Sequence, residues 1–248
     1  GASTKEAQES CGIEVAELIG AAVKDGVIKN AINAPSVNAD TLAAVKPYVS
    51  LCEQLGTLIQ QIAPAKISRI CVSYFGKLAQ LDNKLLTLSL QKGFLRRIAD
   101  NANDVNSPSK LKHLGVEIEA VNSSADSEYS ELVEVKTTSE DGQNFSVAGT
   151  VMGRGLLPRI VRINGTDVEI GAKNSVLLLI NKDKPGMIGT IATILGSKGC
   201  NIANMTVSRL GGDEALSVYE LDEHPSNEVA EEISKLDAVA NVKVVDFS

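Results

Sequence analysis

The sequence predicts a mixed α/β (α+β) protein, with helices at its N-terminus, a mixed α/β unit in the middle and a C-terminal unit of order βαββαβ. Three observations support this fold class. Apolar residues recur at helical spacing in the N-terminal segments. Runs rich in valine, isoleucine and threonine, bounded by turns that contain glycine and asparagine, follow from residue 115 onward. In the last third of the chain, strand and helix patterns alternate.

The N-terminal segments predict two helical regions joined by a connector. Ser3-Thr4-Lys5-Glu6 has the arrangement of a capping box, and the apolar pattern after it predicts a first helix that ends near Lys24. Residues 30–36 contain Pro35, which disfavours helical geometry in the residue before it and so predicts an extended connector. In the second helical region, Pro47 suits the first turn of the main helix. The apolar positions of this region are Leu42, Val45, Val49, Cys52, Leu55, Ile59 and Ile62.

The middle of the chain predicts a second α/β unit. A longer helix over 83–99 has an apolar side, and a short helix covers 110–114. Asp141-Gly142 predicts a type I′ hairpin turn, and Asn164-Gly165 predicts another turn. The apolar side of the longer helix consists of Leu86, Leu90, Phe94 and Ile98. The predicted strands are 66–76, 115–121, 131–138, 144–153 and 158–163.

The last part of the chain predicts a ferredoxin-like unit, a split βαβ arrangement. Its first helix would have Pro185 at its first position. Sheets of this kind leave one face, and often one edge, free to pair with a second copy, so we expect self-association. The predicted elements are strand 175–181, helix 185–198, strands 201–209 and 214–221, helix 226–236 and strand 239–245.

The composition is that of a folded protein that contacts neither nucleic acid nor membrane. Apolar residues make up 44% of the 248 residues and charged residues 22%, which is sufficient for a buried core. Aromatic residues make up only 3% and the formal net charge is −7, so base stacking and attraction to phosphate backbones or anionic lipid are both disfavoured. The apolar stretches are far shorter than the ~20 residues of a membrane span. We therefore expect a cytoplasmic protein.

Several common sites are not expected. The four cysteines form no CxxC pair and lie within apolar patterns, so we expect neither disulfides nor a metal site. The only histidines, His113 and His224, lie near no serine, cysteine or acidic arrangement that suggests a triad, and we expect both to be exposed. The run from Gly153 to Pro158 superficially matches GxGxxG, but a strand pattern follows it rather than a helix, so it is not a dinucleotide site.

A polar loop lies between the first strand and the first helix of the C-terminal unit. It places carboxylate and amide acceptors beside the positive end of a helix dipole. A zwitterionic amino acid needs such a pairing. Backbone N–H groups near Gly186 could receive its carboxylate, while Asp183 and the amide oxygens of Asn181 or Asn201 could receive its ammonium and hydroxyl groups. The alternative is that Asp183 merely caps the helix.

Residues 181–205, NKDKPGMIGTIATILGSKGCNIANM, resemble the ACT domain that ends many 3-phosphoglycerate dehydrogenases. In that family, Asp-x-Pro-Gly and a later Asn-Ile frame a serine site between two subunits. The family often has His or Tyr at the position of Asn181. The resemblance implies an L-serine effector site made of Asn181, Asp183, Pro185, Gly186 and Asn201.

The rest of the chain also resembles these dehydrogenases. Residues 1–9 and 30–36 are similar to the segment just after the family's catalytic histidine, and the first residue is Gly1, so we expect the chain to begin within a longer protein. The middle unit resembles the extra domain of the longer form of the enzyme, often described as an allosteric substrate-binding domain. The expected divisions are 1–32 (end of the substrate-binding domain), 33–170 (intervening domain) and 174–248 (ACT domain).

Three arginines form a candidate anion site in the middle unit. Arg154, Arg159 and Arg162 lie within nine positions, and planar guanidinium groups suit phosphate or carboxylate. On a regular strand, Arg159 and Arg162 would point to opposite faces, so they could hold one anion only if a bulge intervenes. The site would bind a phosphorylated metabolite. The alternative is solvated surface charge.

Together, these resemblances imply the C-terminal regulatory part of a D-3-phosphoglycerate dehydrogenase, which would sense L-serine for feedback inhibition and self-associate through ACT domains. The resemblance implies that the complete enzyme oxidises 3-phosphoglycerate with NAD in the first step of serine biosynthesis. We find no candidate catalytic, cofactor-binding or metal-ligating residue in this chain, so we expect it to be inactive alone. Three alternatives stay open: a free-standing ACT regulatory protein, a subunit of an iron–sulfur L-serine dehydratase, and a structural oligomerisation segment.

Overall fold

The computed structural model describes residues 4–25, 39–64 and 66–248, and its strands form two sheets. The described helices are α1 (Lys5–Asp25), α2 (Ala39–Ile62), α3 (Lys84–Leu95), α4 (Ser107–His113), α5 (Met187–Ser197) and α6 (Asn227–Ser234). The described strands are β1 (Ile67–Gly76), β2 (Glu117–Asn122), β3 (Glu131–Ser139), β4 (Asn144–Met152), β5 (Leu157–Ile163), β6 (Thr166–Ile170), β7 (Ser175–Lys182), β8 (Ile202–Gly211), β9 (Glu214–Leu221) and β10 (Val239–Asp246). The mixed α/β class and the C-terminal βαββαβ order are confirmed. The predicted connector at 30–36 and the Ser3 end of the capping box lie outside the described residues.

The first sheet has six strands in the order β2-β1-β3-β4-β5-β6. Strands β1 and β2 run parallel, and the other neighbours are antiparallel. Helix α2 packs across one face of this sheet, and α3 packs beside α2. The apolar side chains of that face, which belong to one core with α2 and α3, include Val133, Val135, Val147, Ile160 and Ile163.

Helices α2 and α3 meet at a contact between their backbones. A Cβ added to Gly56 on α2 would lie 2.1 Å from the carbonyl oxygen of Leu90, and a Cβ added to Gly93 on α3 would lie 2.0 Å from that of Glu53. The Thr57 hydroxyl donates a hydrogen bond to the Gly93 carbonyl over 3.2 Å. The absence of side chains at these two glycines therefore sets the distance between the helices.

The second sheet has four antiparallel strands in the order β10-β7-β9-β8. Its central strand β7 is buried on both faces, which explains its continuous apolar run from Val176 to Ile180. Alternate side chains of β7 and β9 pack beneath α5 and α6. This core includes Leu177, Leu179, Ile191, Leu195, Tyr219, Leu221 and Ile233.

The other face of the second sheet shares a core with the first unit. Val176 and Leu178 on β7 belong to the same buried cluster as Leu55 of α2. Gln61 of α2 donates to the Asp246 carbonyl over 2.9 Å and accepts from the Asp246 N–H over 3.1 Å. Arg97 donates to the Asp246 carboxylate over 2.8 Å. Helix α2 therefore contacts both sheets.

Two helix predictions were wrong in detail. Pro47 lies in the interior of α2 rather than in its first turn. It has no N–H to donate to the preceding turn, but Leu51 and Leu55 after it are fully buried, so packing keeps the helix continuous. Helix α3 ends at Leu95 instead of continuing to residue 99, and Ile98, predicted on its apolar side, is 45% exposed.

The two predicted turns differ in geometry. Between β3 and β4, only Gly142 has a positive φ (81°), so this turn is not type I′; its N–H donates to the Ser139 carbonyl over 3.0 Å. Between β5 and β6, Asn164 and Gly165 both have positive φ (47° and 78°), as a type I′ turn requires. Strand β6 after this turn was not predicted, because its five residues carry charges at Asp167 and Glu169 and give little apolar signal.

We expect Gly93→Ala to destabilise the protein by at least about 1–3 kcal/mol, because the added methyl group would overlap backbone atoms that no rotamer change can move. Gly12→Ala in α1 is the matched control, since its added Cβ meets nothing within 4 Å, and it should be neutral or stabilising by up to about 1 kcal/mol. Urea unfolding followed by circular dichroism checks both. An unchanged midpoint for Gly93→Ala would show that the helices can separate at no cost.

Asp246 should make stability depend on pH under acidic conditions. Partial burial acts to raise the pKa of Asp246, but hydrogen bonds from Ser248 and Arg97 outweigh it and lower the pKa to about 2. A carboxyl group with a depressed pKa stabilises the fold above its unfolded pKa of about 3.9, and that stability is lost as pH falls through the folded value. Between pH 4 and about 2, Arg97→Ala should flatten the loss of unfolding free energy measured in urea. Asp126→Asn, in an exposed loop, should leave the slope unchanged.

Candidate functional site

The loop between β7 and α5 holds Asp183 beside the end of β8. The Asp183 N–H donates to the Asp213 carbonyl over 2.6 Å, and the Asp183 carboxylate accepts a hydrogen bond from Nε of Arg209 over 2.7 Å. The side chain of Asp183 is 34% exposed and that of Arg209 is 83% exposed. The loop therefore presents an accessible ion pair.

Helix α5 begins at Met187, and its N-cap is Gly186, with a φ of 91° and no side-chain cap. The positive φ favours glycine here and turns the chain from the loop into the helix. Pro185 therefore precedes the helix, so its predicted place at the first helical position was wrong. Asp183 does not cap the helix, because its carboxylate is directed to Arg209. Asp183, Pro185 and Gly186 all lie in one exposed loop.

Asn181 is a buried part of the same segment, with 3% of its surface exposed. Its Oδ1 accepts a hydrogen bond from the Ser217 hydroxyl over 2.7 Å, and its Nδ2 donates to the Lys182 carbonyl over 3.0 Å. Both ends of the amide thus have partners inside the domain. These two hydrogen bonds of the buried Asn181 amide stabilise the start of the loop.

Asn201 lies after α5, at the start of β8. Its N–H donates to Oε2 of Glu223 over 3.1 Å, and its Nδ2 donates to Oδ2 of Asp222 over 2.5 Å. A carboxylate only accepts hydrogen bonds, so Nδ2 must face Asp222 and Oδ1 must face away from it. Among the described residues, no hydrogen bond to this oxygen is present. Asn201 therefore offers a fixed, exposed acceptor.

Asp183 and Asn201 lie at opposite ends of the second sheet. Asn181 pairs with Ala215 on β9, whereas Ile202 pairs with Leu221. Ala215 and Leu221 are six positions apart, or about 20 Å along a strand. One copy of the chain therefore does not bring the predicted site residues together.

Strand β8 runs between these two ends as the edge strand of the second sheet, and its Thr206 and Ser208 hydroxyls donate to the Glu169 and Asp167 carbonyls of β6 over 3.2 and 2.5 Å. It pairs with β9 on one side and has no strand partner on the other within the described sheets. Met205 and Val207 are 37% and 38% exposed on β8, and Ile188 on the neighbouring α5 is 45% exposed. Gly189 of α5 has open space above it. An edge strand with exposed apolar side chains is a candidate association surface.

Arg209 is a site residue that the sequence analysis missed. It lies near the end of β8, and only the pairing of β8 with β9, next to the turn at Asp213, brings it to the Asp183 loop. In the sequence, Arg209 is a single charged residue in a run of uncharged residues that ends at Gly211 and Gly212. That pattern gives no indication of its partner.

The three arginines of the middle unit lie on or beside β5. A bulge at Val161 shifts the register, so Arg162 pairs with Ala148 and Arg159 with Thr150 on β4. Ala148 and Thr150 alternate onto the same face, so the bulge that a site shared by Arg159 and Arg162 requires is present.

Carboxylates already surround two of these arginines. Arg159 lies 3.6 Å from Glu169, and Arg162 lies 3.2 Å from Asp167 and 2.8 Å from Glu128. Arg154 lies in the exposed turn between β4 and β5. An anion would have to compete with these carboxylates for Arg159 and Arg162.

The described residues do not fit a nicotinamide dinucleotide. The glycine run at Gly153 and Gly155 forms a turn between two antiparallel strands, β4 and β5, and no helix N-terminus follows that could receive a pyrophosphate. No group of three or more His, Cys, Asp or Glu side chains could hold a metal ion in the described part of the chain. The four cysteines are free.

The two histidines are exposed, as predicted. Contrary to the prediction, His224 has a serine neighbour, since its Nδ1 lies 2.9 Å from Oγ of Ser175. Ser175 is buried at the start of β7, so its hydroxyl is not available to a substrate. Throughout residues 4–25, 39–64 and 66–248, no helix has the length and apolar character needed to cross a membrane.

Two family models match the chain. Residues 44–164 match the D-3-phosphoglycerate dehydrogenase intervening domain, and residues 175–238 match the ACT domain. The first match covers the six-stranded sheet as far as the turn before β6. The second contains the Asp183 loop, Arg209 and Asn201.

The whole chain is also similar to curated D-3-phosphoglycerate dehydrogenases. Those of Bacillus subtilis and Methanocaldococcus jannaschii are 31% and 30% identical over 249 aligned residues, which cover 100% of this chain and 47% of each relative. That of Archaeoglobus fulgidus is 32% identical over 99% of this chain and 47% of its own length. The chain thus spans about half the length of these relatives. It belongs to the D-3-phosphoglycerate dehydrogenase family, as the part that carries the intervening and ACT domains.

Proposed function

We propose that this chain is the C-terminal regulatory part of a D-3-phosphoglycerate dehydrogenase and that it binds L-serine between the ACT domains of two copies. Bound serine would inhibit the NAD-dependent oxidation of 3-phosphoglycerate by the complete cytoplasmic enzyme. The proposed divisions are 1–32 for the end of the substrate-binding domain, 33–170 for the intervening domain and 174–248 for the ACT domain. This chain would regulate that reaction and take no chemical step in it.

The separation of Asp183 and Asn201 is the observation that carries this proposal. The two residues flank opposite ends of β8, whose outer edge has no strand partner in the described sheets. If two copies paired antiparallel along β8 about a two-fold axis near Thr206, Asn201 of one copy would lie beside Gly211 of the other. Arg209 holds Asp183 at that end of the strand. Pairing would therefore build two equivalent sites, each with residues from both copies.

The exposed apolar side chains support the same pairing. Met205 and Val207 lie on the side of β8 that faces α5, because they pair with Tyr219 and Ser217 on the helix-covered face of β9. A second copy would cover them, together with Ile188. Covering this patch gives the association a hydrophobic contribution beyond the new strand hydrogen bonds.

The available groups complement serine. The Asp183 carboxylate can accept from an ammonium group, and Asn201 Oδ1 of the second copy can accept from a hydroxyl. The Asp183 carboxylate is charged, and the hydrogen bond to Asp222 fixes the orientation of the Asn201 amide. Glycine lacks the hydroxyl and would leave Asn201 without a donor. We therefore propose L-serine rather than glycine as the effector.

Helix α2 provides a route from the ACT domain to the rest of the protein. It is anchored to β10 through Gln61 and Asp246 and packs against the first sheet. A ligand that favours one arrangement of two ACT domains would shift the population of the whole assembly toward it. Inhibition would follow if that arrangement holds the catalytic domains in an inactive geometry.

We further propose that a phosphorylated metabolite binds Arg154, Arg159 and Arg162. The bulge at Val161 supports this proposal, because it brings Arg159 and Arg162 onto one face. The anion would replace the carboxylates of Glu169, Asp167 and Glu128.

We expect calorimetric titration of this chain to show saturable binding of L-serine, with weaker binding of D-serine and glycine. Asp183→Ala should weaken L-serine by about 10- to 100-fold, because it removes a charge-assisted hydrogen bond to the ammonium group. Asp126→Ala, which removes an exposed carboxylate outside the ACT domain, should bind L-serine as the unaltered chain does. A folded dimer that gives no heat with millimolar L-serine would contradict the proposed effector.

Val207→Lys should weaken the dimer, because two-fold pairing along β8 would bring the two new ammonium groups close together. We expect the dimer dissociation constant, measured by analytical ultracentrifugation, to rise by about tenfold or more, which corresponds to about 1.4 kcal/mol. Val105→Lys is the matched control, since Val105 is a similarly exposed valine outside the ACT domain, 50% exposed against 38% for Val207. Equal dissociation constants for both variants would place the association surface elsewhere.

A further inference from the structure

We infer that Arg209 selects zwitterionic ligands at this site by binding the ligand carboxylate while Asp183 binds the ligand ammonium. The inference rests on the proposed amino-acid site and adds to it a specificity-determining residue. It assigns the carboxylate to a side chain on β8 rather than to backbone N–H groups at Gly186.

The geometry of the ion pair leaves Arg209 free to bind a second group. Only its Nε contacts Asp183, over 2.7 Å, and its side chain is 83% exposed. A guanidinium carries five N–H donors in a planar fork. Among the described residues, no hydrogen bond from the two Nη groups is present, so both are available to a planar carboxylate.

Asp183 also keeps one free oxygen. Its Oδ2 accepts from Arg209, and no hydrogen bond reaches Oδ1 within the described structure. The pair thus presents a positive and a negative group side by side. An α-amino acid carries its carboxylate and ammonium on one carbon, so both charged groups can be bound without breaking the pair.

Neighbouring charges leave the selection to this pair. Lys182 and Lys184 flank Asp183 in the chain, while Asp213 and Glu214 follow Arg209 across the turn into β9. The two cations and two anions offset one another, so the surrounding field favours neither a free anion nor a free cation. A ligand with only one of the two charges would therefore satisfy only one member of the pair.

The position of Arg209 on β8 places it at the proposed interface. It pairs with Ala215 and lies on the same side of the sheet as Val207. In the antiparallel pairing of two β8 edges, Asn201 of the second copy approaches the same end of the strand. The ligand would then be held by its carboxylate, its ammonium and its hydroxyl from three directions.

Calorimetry with the full 248-residue chain tests this inference, with L-serine and L-serinamide, which lacks the carboxylate, as probes. We expect Arg209→Gln to lower the affinity for L-serine by about 10- to 100-fold. The affinity for L-serinamide should change by less than about threefold, so the preference for a ligand with a carboxylate is lost. Arg209→Lys keeps the positive charge but not the planar fork of donors, so its affinity for L-serine should lie between those of the unaltered chain and Arg209→Gln. Lys243→Gln removes one positive charge at the opposite edge of the same sheet and should leave the affinity for both ligands unchanged.

Three results would overturn the inference. Unchanged or tighter L-serine binding by Arg209→Gln, with binding still lost in Asp183→Ala, would mean that Arg209 only competes for Asp183, and the proposed serine site would stand. Equal weakening of both ligands would assign Arg209 a purely structural role. Failure of the unaltered chain to bind L-serine would reject the proposed function and this inference together.

Discussion

The backbone contact between α2 and α3 is the constraint on which the rest of the structure depends. Because Gly56 and Gly93 carry no side chains, α2 and α3 pack with their backbones in contact, and α2 shares one core with both sheets. Side chains of α2 then pack on β4 and β5, while its C-terminal end holds β10 through Gln61.

This anchoring determines which part of the ACT domain stays open. The helix-free face of the second sheet is buried against the first unit, and α5 and α6 cover the other face. On the far side of the sheet from β10, the edge strand β8 remains without a strand partner in the described sheets. Asp183 and Asn201 lie at its two ends, about 20 Å apart along the strand. The core thus leaves the proposed association surface on the outer side of the sheet.

The sequence predicted the regular elements well and the contacts between them poorly. The βαββαβ order followed from the apolar run of β7 and from the turn at Gly211 and Gly212, which are local signals. The interior position of Pro47 was missed because burial of the following residues overrides the local preference of proline. The bulge at Val161 could be named only as a condition for a shared arginine site, because register depends on the neighbouring strands.

The candidate site, too, was predictable where it depends on adjacent residues and not where it depends on contacts between strands. The loop from Asn181 to Gly186 was found because its residues are adjacent in the sequence and match a family motif. Arg209 joins Asp183 across 26 positions of the chain, so no local pattern could reveal the pair. The strand register was also needed to show that Asp183 and Asn201 lie at opposite ends of the second sheet.

The most direct test of a serine site shared between two copies is complementation in a mixed dimer. Chains with Asp183→Ala and chains with Asn201→Ala, carrying different affinity tags, would be coexpressed and the mixed dimer purified for titration with L-serine. We expect one site per mixed dimer with close to the unaltered affinity, and only weakened sites in either parent dimer, because the intact Asp183 and the intact Asn201 meet across one of the two equivalent sites. A mixed dimer that binds no more serine than its parents would show that the two residues do not form a shared site.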